Sequence, residues 1–431
     1  MSDYCLTRHR TLPHIVKVSG GRSSAMMLLR MLRQKKLKAS RKDVVVFNNT
    51  SAEHPATYEF VRRLKEECEQ EYGIPFFWLE FQTYEDASKG EWRRFPTFRL
   101  VQDRPYSKSF RDGYKWRGEV FEEMISFHNY LPDRIKRSCT QEMKVSTTRS
   151  FLMEWLALKR ATAHRGHYMN KGQITEDELA RQVKYRNGHN VEEYLDRKRC
   201  LLQSEYRRPP QQFNDFSAVG VRPLEKIKKN VFAAEEAMLS PEDYADGYVS
   251  VIGIRGDEPH RVANIKARMA REETAEIIYM PLAEGGVSKA DVVEFWNKKE
   301  YDLRIPYETN LTNCVYCFMK SHNTLVEISR EMKKIDDSMP PELQSVKNTP
   351  SDIKWWIDIE KKYQRIREGK SERTKGGNIK VGFFGVSRED DKKAPSYRQI
   401  RLLAKRPPKK SKSIASEEEL VHAQCSVCGD Y

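Results

Sequence analysis

The sequence has no run of 18 apolar residues, and its first ten residues lack the apolar core of a secretory signal. A membrane-spanning helix needs about 20 consecutive, mainly apolar residues. We therefore expect a cytoplasmic chain with no membrane partner. With 431 residues, 39% of them hydrophobic, the chain is long enough for roughly two to three domains and a substantial core.

Disulfides are not expected among the eight cysteines, because no export signal is seen. Two pairs have CxxC spacing, Cys314 with Cys317 and Cys425 with Cys428. This spacing lets two thiols of one tight turn reach the same metal ion. A site with four cysteine ligands is the first interpretation. Redox disulfides and a disordered C-terminal pair are the alternatives.

Acidic residues are too few to balance the basic ones. The chain has 77 Lys and Arg against 62 Asp and Glu, a net charge of +15. Such an excess favours polyanionic partners, namely nucleotides, tRNA or DNA. Residues 401–413 hold six basic residues and no acid, which indicates either a flexible tail or a nucleic-acid contact. Residues 84–135 are rich in aromatic residues and arginine, and their weak periodicity predicts loops and short helices.

Apolar runs and helical stretches alternate near the N-terminus. The runs at 15–18, 44–47 and 76–79 predict strands, and the stretches at 25–32 and 57–72 predict helices. We therefore expect an α/β fold with a doubly wound, mostly parallel, Rossmann-like sheet. The chain then divides into an α/β half (1–150), a helical insertion (151–215), a second α/β half (216–335) and a C-terminal helical region with a basic tail and the last CxxC pair (336–431).

A glycine turn, Ser19-Gly20-Gly21-Arg22-Ser23-Ser24, lies between the first predicted strand and the first predicted helix. Glycines let the backbone approach an anion closely, and the following helix N-terminus presents unpaired N–H groups and the positive end of its dipole. The three serines can add hydroxyl donors to phosphate oxygens. The turn lacks the GK[ST] ending of a Walker loop. It therefore predicts a phosphate-binding loop of another type.

This strand–SGGRSS–helix element resembles the loop of the N-type ATP pyrophosphatases, and especially the phosphoadenosine-phosphosulfate (PAPS) reductase branch with its HUP-type fold. The family's usual pattern is SGGxDS, and Ser23 stands where the family has an aspartate. An SGGR[ST]SA variant is typical of PAPS-reductase-like proteins of bacteria and phages. The resemblance implies that Ser19, Gly20, Gly21, Arg22, Ser23 and Ser24 bind ATP, or a related adenine nucleotide, with Mg²⁺.

Residues 47–57 (FNNTSAEHPAT) resemble the family's TG-x-E-x-x-x-T element, with Ser51 in place of the glycine. They follow the second predicted strand, at the edge where open α/β sheets bind ligands. The resemblance assigns Thr50 and Glu53 to the nucleotide. An ordinary helix start, capped by Thr57, would explain the same residues.

Residues 137–144 (RSCTQEMK) resemble an R-x-C-T-x-x-x-K segment of sulfur-transfer relatives. By this resemblance Arg137 and Lys144 neutralise phosphate or sulfate charge. Cys139 is then either a cluster ligand or a thiol near the nucleotide, and basic neighbours favour its thiolate form.

Residues 253–261 (GIRGDEPHR) resemble the family's G-x-R-x-x-E-x-x-R element. The resemblance makes Arg255 and Arg261 clamps for phosphate or substrate, with Glu258 orienting them. A purely structural cluster of ion pairs is the alternative.

The spacing of the cysteines does not choose between zinc and iron–sulfur. The resemblance favours a [4Fe–4S] cluster over Zn²⁺, because relatives in DNA phosphorothioation and tRNA thiolation carry such a cluster near the nucleotide. Their ligand loop is similar to residues 313–320 (NCVYCFMK). Cys139 is a fifth candidate ligand. We expect Cys314 and Cys317 first, then Cys139 with one or both of Cys425 and Cys428.

Together the resemblance implies an enzyme that cleaves ATP between the α- and β-phosphates and adenylates an acceptor. Sulfur would then be transferred to a nucleic acid, as in DNA phosphorothioation or tRNA thiolation, with a sulfur-donor protein as a further partner. Two alternatives remain open. One is a PAPS or APS reductase, and the other is a non-catalytic nucleotide-binding accessory protein of a phage or defence complex.

Overall fold

The computed structural model describes residues 11–86, 93–134, 136–156, 211–220, 247–269, 276–368, 378–385 and 395–407. Most of the predicted insertion at 151–215, the end of the basic run at 401–413, and both Cys425 and Cys428 lie outside these residues.

Nine strands form two sheets within this part of the chain. They are β1 (His14–Val18), β2 (Val44–Asn49), β3 (Phe76–Asp86), β4 (Arg93–Pro105), β5 (Gly113–Tyr114), β6 (Tyr248–Ile252), β7 (Glu276–Tyr279), β8 (Arg365–Glu368) and β9 (Asn378–Val381).

The helices follow a regular alternation with the strands in the first half of the chain. The α-helices are α1 (Arg22–Arg33), α2 (Pro55–Tyr72), α3 (Glu119–His128), α4 (Ser138–Thr140), α5 (Thr147–Trp155), α6 (Pro259–Met269), α7 (Pro281–Glu284), α8 (Lys289–Asn297), α9 (His322–Asp337), α10 (Ile353–Tyr363) and α11 (Tyr397–Ala404). A π-helical stretch, Gln141–Ser146, joins α4 to α5. No helix in the described part of the chain is both long enough and apolar enough to span a bilayer.

The larger sheet has seven strands in the order β5-β4-β3-β2-β1-β6-β7. Strands β3, β2, β1, β6 and β7 are parallel, and β4 is antiparallel to β3. The chain winds outward from β1 to β3 and then returns to continue on the other side of β1 with β6. The predicted α/β, doubly wound, mostly parallel sheet is therefore confirmed.

Both faces of the sheet are covered, which explains why every residue of β1 and β2 is buried. One face packs in a large apolar cluster with α1, α2 and the C-terminal helices, through residues such as Val16, Phe47 and Trp78. The other face, through Ile15, Phe77 and others, packs against α5 and the segment around Phe216.

The region at 84–105 differs from its prediction of loops and short helices. Instead β3 continues to Asp86, and β4 runs back beside it with Glu80 opposite Arg99. Phe98 and Leu100 are buried, and Arg99 donates to Glu80 across the pair. The prediction was wrong here because the strand is stabilised by cross-strand contacts rather than by a clear periodicity of its own.

Candidate functional site

The SGGRSS loop connects β1 to α1, and α1 begins at Arg22. Gly20 has a φ of +77°, and a Cβ placed on it would lie 2.5 Å from Cγ2 of Thr57 in the first turn of α2. Glycine is therefore required at position 20 for two reasons, the left-handed backbone conformation and the close approach of α2. The first turns of α1 and α2 therefore lie close together at this loop.

The serine hydroxyls fix the shape of the loop. Ser24 Oγ donates to the carbonyl of Gly21 at 3.0 Å and accepts from the backbone N–H of Ser19 at 3.1 Å. The two hydroxyls of Ser19 and Ser24 lie 3.2 Å apart. A loop tied in this way keeps its shape before a ligand binds, which lowers the cost of binding.

Arg22 points away from the turn and braces it. Its guanidinium donates to both carboxylate oxygens of Asp302, at 2.7 and 2.5 Å, and to the carbonyl of Ile305 at 2.7 Å. It also lies 3.9 Å from the ring centroid of Tyr307. Arg22 therefore anchors the loop to the segment at 302–307 instead of extending toward a ligand.

The loop after β6 reaches the loop after β1. Nη1 of Arg255 donates to Ser23 Oγ at 3.2 Å, and a Cβ on Gly253 would come within 2.6 Å of the Cα of Ser24. The strand order reverses between β1 and β6, and open α/β sheets bind ligands in the crevice at such a reversal. The two segments predicted to bind nucleotide are thus adjacent at this position.

Glu258 pairs with both arginines of the same loop. Its carboxylate accepts from the backbone N–H of Arg255 at 3.0 Å and from the guanidinium of Arg261. Asp257 adds a further acceptor for Arg255 at 2.8 Å. The geometry suits the orienting role expected of Glu258, and it equally suits the alternative of a structural ion-pair cluster.

A buried acid lies at the carboxyl end of β2. Glu53 accepts from Thr50 Oγ1 at 2.7 Å and from Tyr58 at 3.4 Å. Burial raises the pKa of Glu53, while the nearby charge of Lys144 and the Thr50 hydrogen bond lower it, and the net direction is upward. Lys144 is itself buried. The structure thus brings Thr50, Glu53 and Lys144 together, although Lys144 belongs to a separate segment of the sequence.

The first CxxC turn packs on this acid. Cys314 Sγ lies 3.5 Å from Thr50 Oγ1, and the backbone N–H of Val315 donates to the carbonyl of Ala52 at 3.1 Å. Lys320 donates from Nζ to the carbonyls of Cys314 and Val315, at 2.9 and 2.7 Å. The turn is therefore held rigidly beside the residues predicted to face the nucleotide.

Cys139, Cys314 and Cys317 all influence the pKa of one buried phenol, that of Tyr397. Burial raises the pKa of Tyr397 far above its usual value, and Cys317, Glu360, Cys314 and Cys139 raise it further. None of the cysteines in the described residues is in a disulfide. Within those same residues no three His, Cys, Asp or Glu side chains are placed to hold one metal ion. The other two candidate ligands, Cys425 and Cys428, lie outside the described residues.

Arg137 precedes α4, where its carbonyl accepts from Thr140 and Gln141 at 3.0 and 3.2 Å. The alternative of Thr57 as a helix cap is wrong, because His54 caps α2. Thr57 Oγ1 is instead buried with no hydrogen-bond partner among the described residues. Asp302 was not identified from the sequence, and Thr57 was singled out only as a possible helix cap. The last position of the 47–57 motif was a signal for Thr57, but nothing local marked Asp302.

The chain matches no protein-family model, no curated protein and no solved structure. The structure itself defines a fold class: a doubly wound, mostly parallel α/β sheet with a glycine-rich loop at its strand-order reversal.

Proposed function

We propose that this chain is a PAPS-reductase-like ATP pyrophosphatase that adenylates an acceptor and prepares it for sulfur transfer. The observation that carries the proposal is the hydrogen bond from Arg255 to Ser23. This bond joins the SGGRSS loop, which has no acidic residue, to Arg255 at the position where the strand order reverses. A Rossmann-like sheet binds nucleotides at such a position.

ATP would lie with its phosphates over the N-terminus of α1. The loop amides and the hydroxyls of Ser19 and Ser23 donate to phosphate oxygens, and Thr57 Oγ1, which is buried and unpartnered within the described residues, adds another donor. Arg255 supplies a full positive charge at the edge of the loop. Mg²⁺ accompanying the nucleotide neutralises part of the remaining charge when it is bound.

In the chemical step an oxygen of the acceptor attacks the α-phosphorus. The new O–P bond forms as the bond from that phosphorus to the bridging oxygen breaks, and pyrophosphate leaves. Fixed positive groups stabilise the charge that develops on the phosphates. Lys144 and Arg137 are assigned this role on the acceptor side, and Arg255 and Arg261, oriented by Glu258, on the pyrophosphate side.

A sulfur nucleophile from a donor protein then displaces AMP from the acceptor. The net charge of +15 favours a nucleic acid, tRNA or DNA, as that acceptor. Cys314, which lies beside Thr50, would be a ligand of a [4Fe–4S] cluster or Zn²⁺ together with Cys317, and Cys139 with one or both of Cys425 and Cys428 would complete the set. No step above depends on that metal.

One alternative function has an observation in its favour. Ser23 replaces the aspartate of the family pattern, and Arg22 is fully engaged with Asp302. Both features suit a protein that binds ATP without turning it over. The reductase alternative has no comparable support in the site.

Pyrophosphate release from ATP tests the proposal, with Lys144→Met and Gly20→Val as variants and Lys298→Met as a control on an exposed helix position. We expect each site variant to slow release by roughly 100-fold, in the range of a lost charge-stabilising group, and the control to match the wild type. Tight ATP binding without release would favour the accessory protein. Sulfite formed from PAPS would favour the reductase.

A further inference from the structure

A basic and aromatic loop, residues 104–117, connects β4 to α3 and has no part in the nucleotide chemistry above. It has five basic residues, one acid and four aromatic rings placed between the basic positions. The basic residues are Arg104, Lys108, Arg111, Lys115 and Arg117, and the aromatic residues are Tyr106, Phe110, Tyr114 and Trp116. Surfaces that follow a single-stranded phosphate backbone and stack its bases have this composition.

The charges of this loop face solvent. Arg104, Lys108, Arg111 and Arg117 are exposed, and none of them has an acidic side-chain partner among the residues that the structure describes. Tyr106 is 40% exposed, one of few large apolar side chains so placed in that part of the chain. Cationic groups and an aromatic face are therefore both available to one ligand.

Trp116 adds a second ring next to a cation. The guanidinium of Arg117 lies 4.7 Å from the Trp116 ring centroid, an arrangement in which a base and a phosphate can be contacted side by side. Trp116 is half-buried, so its ring is held in place by the core beneath it.

Hydrogen bonds from Arg99 on β4 hold the loop in one conformation. Arg99 donates to Glu80 at 3.0 Å and to the carbonyls of Arg111 and Gly113. A Cβ on Gly113 would lie 2.6 Å from the carbonyl oxygen of Arg104, so the two limbs of the loop are in close contact. A preorganised surface of this kind loses little conformational entropy on binding.

The loop ends at the candidate site. The backbone N–H of Lys115 donates to Glu80 at 2.6 Å, and its carbonyl accepts from Asn49 at 2.6 Å. Asn49 in turn accepts from the backbone N–H of Ser51 at 2.8 Å. The C-terminal end of the loop is therefore hydrogen-bonded to the carboxyl end of β2, next to Thr50.

We propose that the 104–117 loop binds single-stranded nucleic acid and leads an unpaired nucleotide to the site at the end of β2. The position of the chemical step at the end of β2 rests on the proposed function, whereas the binding of nucleic acid by the 104–117 loop does not. A single strand is favoured over a duplex because exposed rings need unstacked bases to stack on.

Fluorescence anisotropy of the full chain with labelled oligothymidylate, oligouridylate and a duplex, each of about 20 nucleotides, tests this. The Arg111→Ala/Arg117→Ala variant should weaken single-strand binding roughly tenfold and lower the slope of log affinity against log salt by about 0.7 for each lost phosphate contact. Tyr106→Ala should weaken binding by roughly 5- to 100-fold with an unchanged salt slope. Lys298→Ala/Lys347→Ala, which removes two exposed charges elsewhere, is the matched control.

The variants are made in a background with Lys409, Lys410 and Lys412 changed to Gln, which removes three of the six charges of the basic run at 401–413. The oligothymidylate and oligouridylate probes distinguish DNA from RNA, and tighter binding of either single strand than of the duplex supports the proposal. Duplex binding as tight as single-strand binding, wild-type affinity in the loop variants, or competition only by an acidic peptide overturns it. The affinity for ATP, measured by calorimetric titration without nucleic acid, should be unchanged in all loop variants, which separates this proposal from the proposed function.

Discussion

Arg255 donates from Nη1 to the hydroxyl of Ser23, with 3.2 Å between the two atoms. An aspartate at position 23, as in the family pattern, would place a further carboxylate on a guanidinium that already contacts Asp257 and Glu258. The neutral serine leaves more of the positive charge of Arg255 to a phosphate. The departure from the pattern is thus compatible with nucleotide binding.

Removing the Arg255 side chain should weaken ATP binding. Charge-assisted hydrogen bonds contribute about 1.5–3 kcal/mol, so Arg255→Ala should raise the Kd for ATP by roughly 10- to 100-fold. Arg255→Lys should recover part of the loss, because it keeps the charge but not the planar fork. Calorimetric titration measures this, with the exposed Arg398→Ala as control. Unchanged affinity in Arg255→Ala would remove Arg255 from the site.

The two glycines of the loop should respond differently to alanine. Gly20→Ala places a Cβ 2.5 Å from Thr57 at a positive φ, whereas the nearest atom to a Cβ on Gly21 is 3.6 Å away. A left-handed conformation alone costs alanine about 1–2 kcal/mol. We expect Gly20→Ala to lower the melting temperature and the affinity for ATP, and Gly21→Ala to change the melting temperature little. Equal effects of the two substitutions on the melting temperature would contradict the loop geometry.

Lys17 and Glu276 form a buried ion pair between β1 and β7, with 2.7 Å between Nζ and Oε1. Burial raises the pKa of Glu276, but Lys17 and Arg149 outweigh it and lower the pKa to about 2. The stabilisation is therefore present above the ordinary glutamate pKa and is lost as the pH falls toward 2.

Breaking this pair from one side leaves a buried charge, which costs about 3–5 kcal/mol. Lys17→Met and Glu276→Met should each lower the urea midpoint strongly, and Lys17→Met/Glu276→Met should recover much of the loss. Urea unfolding of the four proteins measures the coupling. Additive losses in the double variant would show that the two side chains do not interact.

Glu360 should make stability fall as the pH rises. Burial raises its pKa to about 7, although the backbone N–H groups of Tyr397 and Phe383 donate to it and lower the pKa. A raised carboxyl pKa favours folding below the unfolded value and loses that advantage as the pH passes through the folded value. The loss between pH 4.5 and 7 is about 3 kcal/mol.

Urea midpoints at pH 5 and pH 8 measure this effect. Between pH 5 and pH 8 the wild type should lose more stability than the Glu360→Gln variant does, because glutamine does not titrate. Parallel pH dependence in the two proteins would show that Glu360 has an ordinary pKa. The comparison isolates the contact between α10 and the segment that begins α11.

Anaerobic purification followed by iron, sulfide and zinc analysis tests the cysteine site. We expect iron, sulfide and a broad visible absorbance from thiolate-to-iron charge transfer, lost in Cys314→Ala and kept in Cys68→Ala. Cys68 is a suitable control because its buried thiol contacts the carbonyl of Ile74 within α2 and its C-terminal turn. Zinc without iron would make the cysteines a structural site. The absence of both metals would leave the nucleotide site alone.

Patterns of neighbouring residues in the sequence correctly predicted the strands, turns and caps that depend only on neighbouring residues. The apolar run at 44–47 and the glycine turn after β1 identified the parallel strands and the loop, because a strand buried on both faces and a tight turn each restrict residue type. The cap of α8 by Ser288 was equally predictable, and it forms a capping box with Asp291.

Partners distant in sequence could not be predicted in this way. Arg22 was assigned to the nucleotide, yet its guanidinium binds Asp302, 280 residues further along the chain. Ser51, which replaces the family's glycine, has a φ of +57° and accepts from the N–H of Val120 at the start of α3. Each role depends on a contact that only the folded chain creates, and no spacing in the sequence indicates it.

The measurement that tests the central claim most directly is the fate of phosphorus in ATP labelled separately at the α and γ positions. The account predicts that the γ label appears in pyrophosphate and the α label in AMP or in an AMP–acceptor adduct, with both products lost in Gly20→Val. A γ label in inorganic phosphate, with the α label in ADP, would show cleavage of the other phosphate bond and would contradict the proposed function.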